Sequence, residues 1–231
     1  EYCMSECPSN LWLEELSSTR YEKHEPEDRF HRNTLLLRHV GVRKNVLELG
    51  CSTGYITRRL LQQNCTVTAV ESDLEAARIA GTGTTVLNRD LNCAAWTNGL
   101  KPEFDVALMG DVLEHLIDPL RTLQQVRPLL RSGGWVVICL PNIAHWLTRL
   151  QIAFGQFNYQ PTGTLDATHL RFFTARSARQ MIEAAGYRLL RFDPVIGGRM
   201  SGHLRPAWQL LARLRPGLFA YQLLMSAEPA S

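Results

Sequence analysis

Short apolar runs alternate with segments of helical spacing along most of this chain, and that alternation limits the folds open to it. The runs are "NVLELG", "TVTAVESD", "TTVLNRD", "FDVALMGD" and "WVVICLPN". Each is nearly all apolar, as a strand must be when helices cover both faces of its sheet. Between them, "YITRRLLQQN" places Ile56, Leu60 and Leu61 at helical spacing, "LEAARIAG" is a helix closed by Gly81, and "DPLRTLQQVRPLLRSGG" reads as one amphipathic helix with a glycine stop. Strand–helix–strand units in series predict an α/β fold, a doubly wound and mostly parallel sheet.

The pattern changes after Asn142. Residues 143–174 interleave aromatic side chains with Gly155, Pro161 and Gly163, which predicts a lid inserted after the fifth strand, lying over the carboxyl end of the sheet. "ARSARQMIEAAG" resumes as a helix with Gly186 past its end, and "YRLLRFDPV" and "LFAYQLLMSAE" read as two final strands. The segment between them, "RPAWQLLARLRPG", is basic and amphipathic. It suits a membrane surface, but packing on the chain's own sheet is the simpler expectation. The reading is of one domain over residues 1–231, with residues 1–40 as an N-terminal helical cap.

Composition removes several classes. With 231 residues, 45% apolar and 20% charged, the chain has enough material for one well-buried core. A net charge of +3 is too weak to argue for nucleic acid. The six cysteines, at 3, 7, 51, 65, 93 and 139, form no dense framework and read as buried free thiols, predicting a cytoplasmic setting. Cys3 and Cys7 lack a second ligand pair, so no metal site is expected. The longest apolar stretch, "WVVICLPNIAHWL", is broken by Pro141-Asn142 and too short for stable insertion into a bilayer.

"VLELGCSTG", residues 46–54, admits two chemistries. As G-x-S-x-G it is the nucleophile elbow of an α/β-hydrolase with Ser52 as nucleophile. As a strand running into a small-residue loop and a helix, it is a nucleotide site. The elbow reading lacks an oxyanion loop upstream and the strands that come before such an elbow. The nucleotide reading explains more. Glu71 ends the second strand 21 residues after Gly50, where a carboxylate accepts hydrogen bonds from ribose hydroxyls. The loop also lacks the full G-x-G-x-x-G of a pyrophosphate site. Asp90 follows the third strand, and "GDVLEHLIDP" follows the fourth.

Four blocks, "VLELGCSTGYITRRL", "VTAVESDLEAA", "FDVALMGDVLEHLIDPLRTL" and "LRSGGWVVICLPN", together resemble the class I S-adenosylmethionine-dependent methyltransferases in order and spacing. The tail "DATHLRFFTARSARQMIEAAGY" is similar to the branch of ubiquinone-type O-methyltransferases and bacterial glycan-associated and natural-product methyltransferases. Ser52 is a departure, since the family more often has glycine there; serine needs a negative φ or a modest strain cost. The resemblance implies a seven-stranded sheet with its last strand antiparallel, and S-adenosylmethionine above the strand ends. Glu48, Gly50, Cys51, Ser52 and Gly54 would border its methionine part. Glu71, with Ser72 beside it, would hold the ribose, and Asp90 and Leu91 would frame the adenine. Gly110, Asp111 and Val112 would line the floor near the sulfonium. His115 would contact cofactor or substrate. Plainer roles also fit: Glu48 fixing the loop, Leu91 as core, His115 capping a helix.

An alcohol acceptor benefits from a general base, and histidine suits that near neutral pH. His169 is the candidate, with Asp166 either orienting it or capping the following turn. His145, Trp146, Tyr159 and Phe172 are candidate substrate contacts. The expected function is O-methylation of a small-molecule or glycan hydroxyl. The alternatives are N- or C-methylation of a natural product, and a non-catalytic module using the same fold for binding. The expected partners are the acceptor alone, without nucleic acid, in an assembly that allows a homodimer.

Overall fold

The computed structural model describes residues 31–197 and 204–230; residues 1–30 of the expected N-terminal cap, Cys3 and Cys7 among them, lie outside these. A helix, α1 (Arg32–Val40), leads into β1 (Asn45–Leu49), α2 (Tyr55–Gln62), β2 (Thr66–Glu71), α3 (Leu74–Ala80), β3 (Thr85–Asn88) and β4 (Phe104–Gly110). Then come α4 (Pro119–Val126), β5 (Leu130–Pro141), α5 (Trp146–Ala153), α6 (Ala175–Ala184), β6 (Tyr187–Val195), α7 (Arg205–Leu214), the short α8 (Pro216–Phe219) and β7 (Gln222–Pro229). The seven strands form one sheet in the order β3-β2-β1-β4-β5-β7-β6. The last strand, β7, runs antiparallel to both its neighbours, and the remaining ladders are parallel.

The apolar runs divide by residue parity. In β4, Val106 and Leu108 join a core with Leu36, Val40, Val46 and Leu60, whereas Ala107 and Met109 join the opposite core with Leu47, Trp96, Leu123 and Ile138. Side chains of successive strand residues point to opposite faces, so a fully apolar run signals two covered faces.

Helix starts follow their caps. Asp73 accepts a hydrogen bond from the Ala76 amide at 2.8 Å, Asp118 from the Arg121 amide at 3.0 Å with Pro119 next to it, and Thr174 and Ser177 form a reciprocal capping box. One expected boundary is wrong. The helix predicted over "DPLRTLQQVRPLLRSGG" stops at Val126, and the chain is already extended from Leu130. Pro128 brings no amide hydrogen to continue the α-helix. The two glycines serve the sheet instead of ending the helix. A Cβ on Gly134 would come within 3.0 Å of the Phe104 carbonyl oxygen, where the β4–β5 register slips. The strand expected at "LFAYQLLMSAE" likewise begins only at Gln222, after α8.

The helix at "RPAWQLLARLRPG" does pack on the sheet. It buries Gln209 and Ala212, and Gln209 Nε2 donates to the Pro194 carbonyl at 3.3 Å. Cys51, Cys65 and Cys139 are buried free thiols, and Cys93 is free and exposed. No helix among the described residues is long and apolar enough to cross a membrane.

Candidate active site

Strand order reverses between β1 and β4, so the crevice of a doubly wound sheet opens above their carboxyl ends. A cavity of about 690 Å³ occupies that place. Glu48, Gly50, Cys51 and Ser52 line it from the β1 loop, Glu71 and Ser72 from β2, Asp90 and Leu91 from the segment after β3, and Gly110, Asp111, Val112 and His115 from the end of β4. Gly54 does not line it. Gly54 starts α2 at φ +83°, and a Cβ there would lie 3.0 Å from Ala80.

The loop is held by its own carboxylates. Glu71 accepts hydrogen bonds from the Ser52 amide at 2.8 Å and the Asp73 amide at 2.9 Å. Thr57 Oγ1 donates to Glu48 at 2.6 Å, tying β1 to α2. Burial pushes the Glu48 carboxyl up to about 7, against the pull of that hydrogen bond. Gly50 sits at φ +68°, where a Cβ would come 2.6 Å from Val112 Cγ2, so the wall tolerates no side chain. Ser52 lies at φ +48°, so serine takes the strained option and not the negative φ. Ser52→Gly is expected to leave stability within about 1 kcal/mol, because relief of left-handed strain offsets the added chain entropy; thermal unfolding checks this.

Asp111 also lies in the left-handed region, at φ +57°. It accepts from Gln222 Nε2 at 2.8 Å and pairs with Arg32. Sequence reading missed Arg32, because the cap was read as a helix without assigning any of its residues to the site.

Residues 162–169 form the opposite wall: Thr162, Gly163, Asp166, Thr168 and His169 line the cavity. Two amides, of Leu170 and Arg171, donate to the main-chain oxygen of Glu114 at 2.8 and 2.9 Å, and Phe173 bridges to Asn142. This segment is therefore fastened beside the cavity at the carboxyl ends of β4 and β5.

His169 is buried, with Nδ1 3.2 Å from the Thr164 carbonyl oxygen and Nε2 3.9 Å from Glu114 Oε1. Its ring meets that of His115 edge-on at 4.8 Å. Asp166 Oδ1 accepts from the Thr168 amide at 2.8 Å and its hydroxyl at 2.6 Å. His115 Nδ1 lies 3.1 Å from that same hydroxyl.

Glu114, not among the candidates although it stands in "GDVLEHLIDP", is wholly buried and both its carboxylate oxygens lack hydrogen-bond partners. Burial pushes it up to about 8, with Arg32 pulling down and Asp166 pushing up. Glu114, His115 and His169 offer three ligand atoms within 4.8 Å of one another.

The four expected substrate residues do not come together on the cavity. His145 is buried beside Trp146 and Tyr221, with Nε2 unpartnered and its pKa lowered by burial. Trp146 stacks on Trp208, and Tyr159 and Phe172 pack around Phe157. None of the four lines the cavity. Their ring contacts are with Tyr221 and Trp208 beyond the cover, with Phe157, and, for Phe172, with His169 on the cavity wall.

A family profile described as a methyltransferase domain matches residues 19–191. The chain belongs to the class I S-adenosylmethionine-dependent methyltransferases. The family cofactor suits this cavity: Glu71 at the end of β2 would face a ribose diol, Leu91 would give apolar wall for a purine and Asp90 an acceptor for its amino group, and Val112 would line the floor near the sulfonium.

Among curated relatives, the ubiquinone biosynthesis O-methyltransferase of Aeromonas salmonicida is 25% identical over 150 residues, 62% of this chain and 62% of that protein. The enzyme of the same name from Vibrio parahaemolyticus is 28% identical over 149 residues, 61% and 62% respectively. The matched region is thus under two thirds of either relative. In fold, the chain resembles the 1,6-didemethyltoxoflavin-N1-methyltransferase of Burkholderia thailandensis, solved with S-adenosylhomocysteine bound. The TM-score is 0.57 at 20% identity, covering 97% of this chain and 83% of that one.

Proposed function

We propose that this methyltransferase methylates a hydroxyl of a small organic or glycan acceptor, with His169 as general base. The observation that carries the reading is His169 itself: a buried imidazole on the cavity wall facing the β1 and β4 strand ends, with Nδ1 against a main-chain carbonyl. That carbonyl accepts only a proton-bearing nitrogen, which leaves Nε2 as the basic nitrogen of the neutral ring. The ubiquinone O-methyltransferase relatives support an oxygen acceptor.

S-adenosylmethionine supplies an activated methyl group on a sulfonium, and transfer is a direct displacement. The chain's part is to align the acceptor oxygen, keep out water and take one proton. Glu71 anchors the ribose end and braces the loop, while the cover over residues 162–169 closes the acceptor end. Asp166 shapes the turn that presents His169 and acts as a positioning residue.

Calorimetry with S-adenosylhomocysteine tests the cofactor half, and Glu71→Ala is expected to weaken that binding by about 1–3 kcal/mol through lost hydrogen bonds. Methyl transfer from labelled S-adenosylmethionine to a panel of phenols, quinols and sugars tests the acceptor half. Binding without transfer to any hydroxyl, amine or carbon acceptor would leave the binding-module alternative.

The orphaned Glu114 carboxylate favours one second reading. With His115 and His169 it would hold a divalent cation, whose charge would acidify an acceptor hydroxyl. Turnover abolished by a chelator and restored by the cation supports this reading; turnover indifferent to both rejects it.

A further inference from the structure

Ten of the fifteen exposed large hydrophobic side chains among the described residues fall in two stretches, 147–159 and 204–214. On α5, Leu147, Leu150 and Phe154 recur at helical spacing and are 41%, 48% and 75% exposed. On α7, Gln209 and Ala212 face inward while Leu210 and Leu214 point out, at 58% and 66% exposure. The stacked rings of Trp146 and Trp208, 6.1 Å apart, join the two helices, so their outer faces adjoin. Arg149 Nε holds the Ala144 carbonyl at the start of α5.

The charge of this face has one sign. Residues 143–159 and 204–221 contain Arg149, Arg205, Arg213 and Arg215 and not one Asp or Glu. An apolar face flanked by aromatic rings and arginines, without acids, matches an interfacial helix and not a solvated one. A protein partner would also accept the apolar part. The uniform positive charge selects an anionic occupant, and the absence of acids argues against a second copy of the same face, which would bring like charges together. The face also reaches the cavity: Arg205, the first residue of α7, and Tyr221, in edge contact with His145, both line it.

We propose that the outer faces of α5 and α7 form a docking surface for an anionic lipid bilayer. The leucines and Phe154 enter the headgroup–acyl boundary, and the arginines meet the phosphates at its surface. Docking opens the cavity's acceptor end beside lipid; that consequence alone rests on the methyl-transfer reading, and the docking does not.

The test is sedimentation of the full chain with vesicles. Vesicles of equal parts phosphatidylcholine and phosphatidylglycerol are expected to carry the protein down at low salt, while pure phosphatidylcholine vesicles carry at least tenfold less. Leu210→Glu with Leu214→Glu is expected to abolish sedimentation. Arg213→Gln with Arg215→Gln is expected to weaken it by about tenfold or more, each arginine being worth on the order of fivefold. Circular dichroism checks that the variants remain folded, and the salt and lipid-charge dependence of the unaltered chain stands without them. No sedimentation with anionic vesicles overturns the proposal. So does sedimentation that both folded variants retain, and so does light scattering that shows a dimer, lost in the leucine variant, in a chain that ignores vesicles. S-adenosylhomocysteine binding, measured in parallel, reads the cofactor site separately.

Discussion

His169→Ala is expected to lower kcat by at least about 100-fold while S-adenosylhomocysteine affinity stays within a few-fold. A positioned general base contributes on the order of 10²–10⁴-fold, and under the proposed function His169 serves the acceptor while Glu71 would hold the ribose, both residues lining the same cavity. The two readouts separate chemistry from binding. Wild-type turnover should rise with pH as the imidazole loses its proton, and the variant should lack that limb. If His169 only pins the cover through the Thr164 carbonyl, the variant instead raises KM and keeps its pH profile. An amine acceptor that needs no base gives a third pattern: turnover barely changed.

Glu114→Gln is expected to stabilise the fold at alkaline pH. Desolvation raises this carboxyl from 4.5 to about 8, a shift worth on the order of 5 kcal/mol. The folded state therefore holds a proton that the unfolded chain gives up. Below pH 4.5 both states are protonated and burial carries no ionisation penalty. As pH rises from 4.5 to about 8 the unfolded chain ionises first, and folding stability falls through that window. Glutamine keeps the shape without the ionisation, so its advantage in urea unfolding should grow across the same window and level off above pH 8. Identical urea midpoints at pH 5 and pH 9 would show that Glu114 is ionised and compensated in the fold. The same variant divides the two mechanisms. A neutral Glu114 beside a catalytic His169 predicts that glutamine preserves turnover near pH 7, whereas a cation held by Glu114 predicts its loss.

The sheet was legible because its signal is local. Runs such as "FDVALMG" and "WVVICLP" are apolar at every position, and only burial on two faces demands that. The cofactor wall was nearly as legible, since carboxylates and glycines at strand ends must lie at the crevice once the topology is known. The acceptor side was not. His169 was picked out from a motif and lines the cavity, but Glu114 next to it is a long-range fact: its main chain meets residues 170 and 171, which no spacing rule links to residue 114. Arg32 reached Asp111 across 79 positions in the same way. Trp146 and Tyr159 lie off the cavity lining, a placement that sequence does not fix, because an aromatic residue satisfies a substrate wall and a small core equally well. The helix through Arg127–Gly134 misled because Pro128 and a paired glycine look like a helix stop and equally like the entry to a bulged strand.

The attachment of the cover has a practical bearing. Its anchors, the amides of Leu170 and Arg171 on the Glu114 carbonyl and the pairing of Phe173 with Asn142, belong to the main chain. The side chain at Thr162, which lines the cavity, can therefore be recut without unfastening the segment that carries His169. A directed library at that position would vary the shape of the cavity wall while His169 and the strand-end residues stay in place, which makes this scaffold suited to retargeting.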